Sequence, residues 1–197
     1  MFDQRDELPK EPLILTIFGA TSDLTHRKLL PALYHLRAEN RLPDQIRILL
    51  IGRRDLSGSA YRGDAEAAIR RYSRTSPDEL KLSRFLDIIS YYRMELISDP
   101  QSYTRISRRL KEEETAMSAP AVRLFFLAVA PEHFAPIVER LRDKGLAEKG
   151  NADHRVMIEK PFGSDLSTAR TLNNTISQAL EEKQVYRIDH YLGKDMI

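Results

Sequence analysis

Cysteine and tryptophan are both absent from this chain of 197 residues. Without thiols there is no disulfide framework, no CxxC redox pair and no thiolate zinc site. A reducing, cytoplasmic compartment is the simplest home. Charge of one sign is also lacking in excess: 31 Lys and Arg face 29 Asp and Glu, for a formal net charge of +2. A dedicated nucleic-acid binder carries a basic surplus that this chain does not have, so nucleic acid is not expected as a partner. Long apolar runs are missing too. The longest near the middle, Leu124 to Ala130, falls far short of a bilayer span. The opening residues Met1-Phe2-Asp3-Gln4-Arg5-Asp6-Glu7 carry acids where a secretory leader needs a basic and then an apolar stretch. Neither secretion nor membrane insertion is expected. What the chain does have is 42% apolar residues, enough for a core and too many for disorder, in a length that suits one ordinary domain.

Residues 1–12 are charged and hold two prolines, Pro9 and Pro12, and read as a flexible tail. From residue 13 onward, short apolar runs alternate with amphipathic segments. Leu13 to Phe18, Ile46 to Gly52, Ile88 to Met94, Arg123 to Ala130, Arg155 to Glu159 and Val185 to Ile188 read as six strands. Between them helical spacing recurs. Leu29, Leu30, Leu33 and Leu36 form one stripe, and because a proline ring fits only a first turn, Pro31 predicts a regular helix from about Leu30 with a tighter lead-in before it. Ser76-Pro77-Asp78-Glu79 reads as a helix start with Ser76 as N-cap. Asp99-Pro100 opens another helix, Pro131 a further one ending near Gly145, and a last begins at about Asp165. Such alternation predicts an α/β fold of Rossmann type: a doubly wound, mostly parallel six-stranded sheet over residues 13–197 with helices on both faces. Ligands of such sheets sit beyond the carboxyl ends of the strands.

After the first strand comes Gly19-Ala20-Thr21-Ser22-Asp23-Leu24. It holds one glycine, so the G-x-G-x-x-G fingerprint is not met. The small residues fit either a turn whose amides approach a pyrophosphate at a helix N-terminus or a plain small-residue turn. Gly52-Arg53-Arg54 follows the second strand, where an acid favours NAD and an arginine accommodates the 2′-phosphate of NADP. A solvated basic pair, with Asp55 close by, is the other reading. Glu159-Lys160-Pro161-Phe162-Gly163 places an ammonium at the end of the fifth strand, fit for a substrate hydroxyl or phosphate or for solvent. Asp189-His190-Tyr191-Leu192-Gly193-Lys194 follows the sixth. There an imidazole, a phenol and an ammonium stand close enough to meet a phosphate, and Asp189 could orient an imidazole. One His and one Asp are too few ligands for a metal site, and none is expected.

Three of these segments carry a resemblance. Ile17 to Leu24 running on through Lys28-Leu29-Leu30-Pro31-Ala32-Leu33, then Glu159 to Gly163, then Arg187-Ile188-Asp189-His190-Tyr191-Leu192-Gly193-Lys194, resemble in order the signatures of glucose-6-phosphate dehydrogenase. The resemblance covers nearly the whole chain but only the coenzyme domain of that family. It implies oxidation of glucose 6-phosphate at C1 to 6-phosphogluconolactone with hydride transfer to NADP⁺, the entry step of the oxidative pentose phosphate pathway. It implies that Gly19, Ala20 and Thr21, with Ser22, Asp23 and Leu24, line the pyrophosphate turn and that Arg53 meets the 2′-phosphate. Lys28 would face the substrate cleft, Lys160 would touch both sugar and coenzyme, and His190, Tyr191 and Lys194 would hold the 6-phosphate. Asp189 would orient a histidine general base. That base lies in the family's second, α+β domain, which also carries the surface for homodimers or homotetramers. The expectation is therefore that these residues alone bind coenzyme without turnover. A non-catalytic NADP-binding module, or another dehydrogenase on the same fold, are the alternatives. Within the motifs, Ser22 stands where the family usually has Gly and Asp195 where it has Glu; Ser22 predicts a stiffer turn whose dihedrals suit a non-glycine residue.

Overall fold

A computed structural model describes residues 11–117, 119–163 and 165–188. Six strands, β1 (Leu13–Phe18), β2 (Ile46–Gly52), β3 (Ile89–Arg93), β4 (Val122–Leu127), β5 (His154–Glu159) and β6 (Val185–Ile188), form one sheet in the order β3-β2-β1-β4-β5-β6. Every pairing is parallel, rather than mostly so. The six helices are α1 (Leu30–Ala38), α2 (Gly58–Tyr72), α3 (Glu79–Asp87), α4 (Pro100–Met117), α5 (Phe134–Asp143) and α6 (Leu166–Ala179).

Strand alternation divides the core into two layers. Leu15 and Ile17 of β1, with Ile48 and Leu50 of β2, pack under Leu30 and Tyr34 of α1, Tyr61, Ala65 and Ile69 of α2, and Leu82 and Phe85 of α3. Ile14 and Phe18, with Leu49, Ile51, Phe125 and Leu127, face Tyr103, Ile106 and Leu110 of α4, Phe134, Ile137 and Leu141 of α5, and Leu172 and Ile176 of α6. Each large apolar side chain so buried contributes roughly 1.5–3 kcal/mol. The helices change face between β1 and β4, because the chain reaches β3 on one side of β1 and returns to β4 on the other. That reversal opens a crevice at the carboxyl ends of β1 and β4.

Three local expectations change. The segment before α1 is wider, not tighter: Thr25–Leu29 is a π-helical turn, and Leu30 N–H reaches back to Thr25 O. Pro31 donates nothing, so the wider turn just before it absorbs the missing bond. The cap of α3 is Asp78, not Ser76. The Asp78 carboxylate accepts Lys81 N–H at 2.9 Å, and its own N–H is taken by Tyr34 Oη at 2.9 Å from α1. Finally, β4 stops at Leu127 rather than running to Ala130, because β1, its partner on one side, turns away at Gly19. At the chain's start Pro12 O accepts Val122 N–H at 2.8 Å.

Candidate functional site

The turn after β1 is built on a glycine that no other residue could replace. Gly19 has φ +98°, and a Cβ there would sit 2.1 Å from Ala128 O of the neighbouring chain segment. Only a glycine lets β1 and β4 approach so closely at this point. Gly19 and Ala20 both donate their N–H to Ile51 O, at 2.9 and 2.8 Å. They give the turn its shape and are not themselves free donors. Ser22 then caps the following helix: its Oγ accepts Thr25 N–H at 3.1 Å, and Thr25 Oγ1 donates to Gly19 O at 2.8 Å. Ser22 has no positive φ, so a non-glycine residue stands there without strain. Among the described residues, no acceptor takes the N–H groups of Thr21, Asp23 or Leu24. Those amides, at a helix N-terminus, are the ones able to meet a phosphate.

Around this turn lies a cleft of about 510 Å³ lined by Gly19, Thr21, Ser22, Gly52, Arg53, Arg54, Glu95, Leu96, Ala128, Val129, Ala130 and His133. Arg53 and Arg54 are exposed at the end of β2, and neither guanidinium has a described ion-pair partner. The acid beside them is turned elsewhere: Asp55 pairs with Arg93 at the end of β3, at 3.2 Å. His133 closes the far side in the short 3₁₀ turn Pro131–His133, with its buried Nδ1 making no hydrogen bond among the described residues. The open amides, the room forced by Gly19 and two guanidiniums without an ion-pair partner among the described residues make a donor set able to take an elongated anionic ligand such as a dinucleotide's pyrophosphate. Among the described residues no group of three His, Asp or Glu stands together to hold a metal ion.

Two tyrosines underpin these loops, and nothing in the motifs pointed to them. Tyr61 of α2 is fully buried and donates its hydroxyl to Ala20 O at 2.7 Å. Its ring stacks on Tyr91 of β3, with centroids 4.6 Å apart and planes 14° from parallel. Tyr91 Oη in turn donates to Arg54 O at 2.7 Å. Burial pushes the Tyr61 phenol well above its ordinary pKa, and burial raises that of Tyr91 too, so both stay protonated donors. His26, in the π turn, lies with its ring centroid 6.2 Å from that of Tyr61. Burial lowers its pKa, the nearby Asp64 opposes that, and Arg54 adds to it.

The other expected site residues are placed apart from this cleft. Ala20 is buried and Leu24 packs against the core below α1. Asp23 is exposed and lies 3.4 Å from Arg27. Lys28 lines a separate cleft of about 610 Å³ on the outer side of α1, with Arg27, His35, Tyr72 and Arg74. Lys160 is exposed at the end of β5, where the Lys160–Pro161 bond is cis. Gly163 follows with φ +144°, where a Cβ would meet Ala169 N of α6 at 2.6 Å. Asp189, His190, Tyr191 and Lys194 lie outside the described residues. The sequence motifs also passed over Arg93, Glu95, Leu96 and His133, all at the carboxyl ends of strands that the topology draws together.

Known proteins share the sequence pattern and the fold. Residues 16–197 match the family described as "Glucose-6-phosphate dehydrogenase, NAD binding domain". The chain is 40% identical over 190 residues to a glucose-6-phosphate 1-dehydrogenase of Chlamydia pneumoniae, and 36% identical over 184 residues to that of Bacillus subtilis. These alignments cover 94% and 93% of this chain but 37% and 36% of the relatives, so the chain spans little more than a third of their length. Among solved structures it is similar to a glucose-6-phosphate dehydrogenase in complex with its substrate glucose-6-phosphate. There the TM-score is 0.82 and the identity 32%, over 94% of this chain and 38% of that one. The enzyme from Mycobacterium avium gives a TM-score of 0.80 at 31% identity, over 92% and 37%.

Proposed function

The chain belongs to the glucose-6-phosphate dehydrogenase family, through its NAD-binding domain, and from that premise we propose that it is the coenzyme-holding part of an NADP-dependent enzyme that oxidises glucose 6-phosphate to 6-phosphogluconolactone, a cytoplasmic reaction. The observation that carries the reading is the cleft after β1 and β2. Thr21 lines it with an uncommitted amide, the open amides of Asp23 and Leu24 follow in the same turn, and the guanidiniums of Arg53 and Arg54 line it without an ion-pair partner among the described residues. In this reading the amides take the pyrophosphate and Arg53 takes the 2′-phosphate in a bidentate contact, worth about 1.5–3 kcal/mol. The Arg93 guanidinium pairs with Asp55 at 3.2 Å, which draws the acid next to the two arginines away from them.

When bound, the nicotinamide supplies the hydride acceptor. The chain's own contribution is placement and charge. Lys160, at the end of β5, serves the sugar and its C1 hydroxyl. Lys28 faces the substrate side. His190, Tyr191 and Lys194 take the 6-phosphate, and Asp189 orients the histidine that removes the C1 hydroxyl proton. Fixing the sugar phosphate in this way is the kind of positioning that lowers a barrier by roughly 7–11 kcal/mol at best. That base belongs to the family's second domain, and with it come the homodimer or homotetramer contacts. The 197 residues alone are therefore expected to bind NADP⁺ and to reduce none of it with glucose 6-phosphate.

Calorimetric titration of the chain with NADP⁺ and with NAD⁺ tests the reading. Salt-sensitive NADP⁺ binding, weakened roughly 10- to 100-fold in Arg53→Ala while NAD⁺ binding persists, is the expected result. Absence of binding by either nucleotide would leave the family relationship as ancestry without a coenzyme function.

A further inference from the structure

The two coenzyme loops belong to different strands, yet a continuous strut joins them. Tyr61 Oη holds the carbonyl of Ala20 in the turn after β1, and Tyr91 Oη holds the carbonyl of Arg54 in the loop after β2. The stacked rings connect the two anchors. Small residues make the room. A Cβ on Gly52 would lie 2.9 Å from Tyr91 Oη, 3.1 Å from its ring and 3.3 Å from the Cβ of Ala20, so a larger residue there would push the Tyr91 ring off its place. Holding the Arg54 carbonyl, which Leu56 N–H also meets at 3.1 Å, fixes the peptide that follows Arg54, and with it the stretch of backbone from which the Arg54 side chain leaves next to Arg53.

We propose that the Tyr61–Tyr91 stack positions both coenzyme loops, and that the Tyr91 hydroxyl is a specificity-determining group favouring a 2′-phosphorylated dinucleotide; the proposal rests on the coenzyme reading given above. The division of labour follows from ligand chemistry. A pyrophosphate is common to NAD⁺ and NADP⁺, so the anchor at Ala20 acts on both. The 2′-phosphate is present in one alone, so the anchor at Arg54 acts on that one. Tyr91 is a positioning residue here, since it reaches the ligand only through the backbone that carries the two arginines.

The test uses the chain with Tyr91→Phe or Tyr61→Phe, titrated with NADP⁺ and NAD⁺ while melting temperature is followed. Phenylalanine keeps ring and stack and removes one donor, so folding is preserved. Tyr91→Phe is expected to weaken NADP⁺ about 3- to 10-fold, the effect of one lost hydrogen bond, and to change NAD⁺ by less than about twofold. Tyr61→Phe is expected to weaken both nucleotides by the same factor. Unchanged NADP⁺ affinity in Tyr91→Phe overturns the proposal. So does an equal loss for both nucleotides with a lowered melting temperature, which would mark a purely structural role. If the unaltered chain binds neither nucleotide, the coenzyme reading itself fails and takes this proposal with it. Binding by the unaltered chain, with both nucleotides equally weakened in Tyr91→Phe, fails this proposal alone.

Discussion

The two ends of the sheet use the same residue types to opposite effect. At the amino ends of β4, β5 and β6, Arg123 is nearly buried and grips Glu114 through two bonds, at 2.7 and 2.8 Å. His154 Nδ1 accepts Glu148 N–H, and Gln184 Nε2 donates to the carbonyls of Glu148, Asn151 and His154 at 2.8, 2.8 and 2.9 Å. Gln184 Oε1 also accepts the N–H of Gly150 and of Glu181. Every polar group named there has its partner within the chain. At the carboxyl ends, Arg53, Arg54, His133 Nδ1 and the amides of Thr21, Asp23 and Leu24 have none among the described residues. A polar group satisfied internally stabilises the fold. A set left open at one end of the sheet, beside two guanidiniums, is available to an anionic ligand.

The sharpest way to erase this contrast is Gly19→Ala. Its Cβ would collide with Ala128 O and demand a disfavoured φ, costing more than about 3 kcal/mol of stability and abolishing NADP⁺ binding. Denaturant melts with a parallel titration check it, and an undisturbed variant would mean that the close approach of β1 and β4 is not needed. Next is Arg123→Met at the opposite end. It strands the half-buried Glu114 carboxylate and is expected to cost about 2–3 kcal/mol while the folded fraction keeps its NADP⁺ affinity. An affinity loss would show that the two ends are not independent. Arg53→Ala should do the reverse, weakening NADP⁺ roughly 10- to 100-fold with the melting temperature unchanged. A matching loss of NAD⁺ affinity would assign Arg53 to some group other than the 2′-phosphate.

The smallest effect concerns pH. Burial, reinforced by Arg123, lowers the pKa of His154 below its ordinary 6.5. The unfolded chain therefore takes up the proton first as pH falls. Stability is fully present above pH 6.5 and declines as pH drops from there toward the folded-state pKa. His154→Asn keeps an acceptor for Glu148 N–H and should flatten the fall in melting temperature between pH 7.5 and 5.5. An unaltered slope would place the acid sensitivity elsewhere, with His26 as the next group to replace.

Much of the architecture is legible in single residues. The bounds of β1 and β2 follow from their apolar runs alone, since a strand buried on both faces needs no alternation to be seen. The stripe Tyr103, Ile106 and Leu110 marks α4, and all three side chains are buried. Helix α2 was not visible in this way. Its buried face is made of Ala65, Ala68, Ile69 and Tyr61, and alanines set among charged neighbours leave little apolar contrast. The start of α3 was displaced because Tyr34, more than 40 residues upstream, occupies the N–H of Asp78.

The sequence by itself determined the alternation of strand and helix, the glycine at the end of β1 and the arginines at the end of β2, because these depend on patterns a few residues long. Tertiary structure decided which of those groups remain available. Ile51, one strand away, takes the N–H groups of Gly19 and Ala20 and leaves those of Thr21, Asp23 and Leu24. Arg93 pairs with Asp55 and leaves the guanidiniums of Arg53 and Arg54 without it, and Tyr61 reaches Ala20 across 41 positions of chain. Hydrogen bonding is a matter of what lies within about 3 Å, and across a parallel sheet those neighbours come from segments that the linear order keeps far apart.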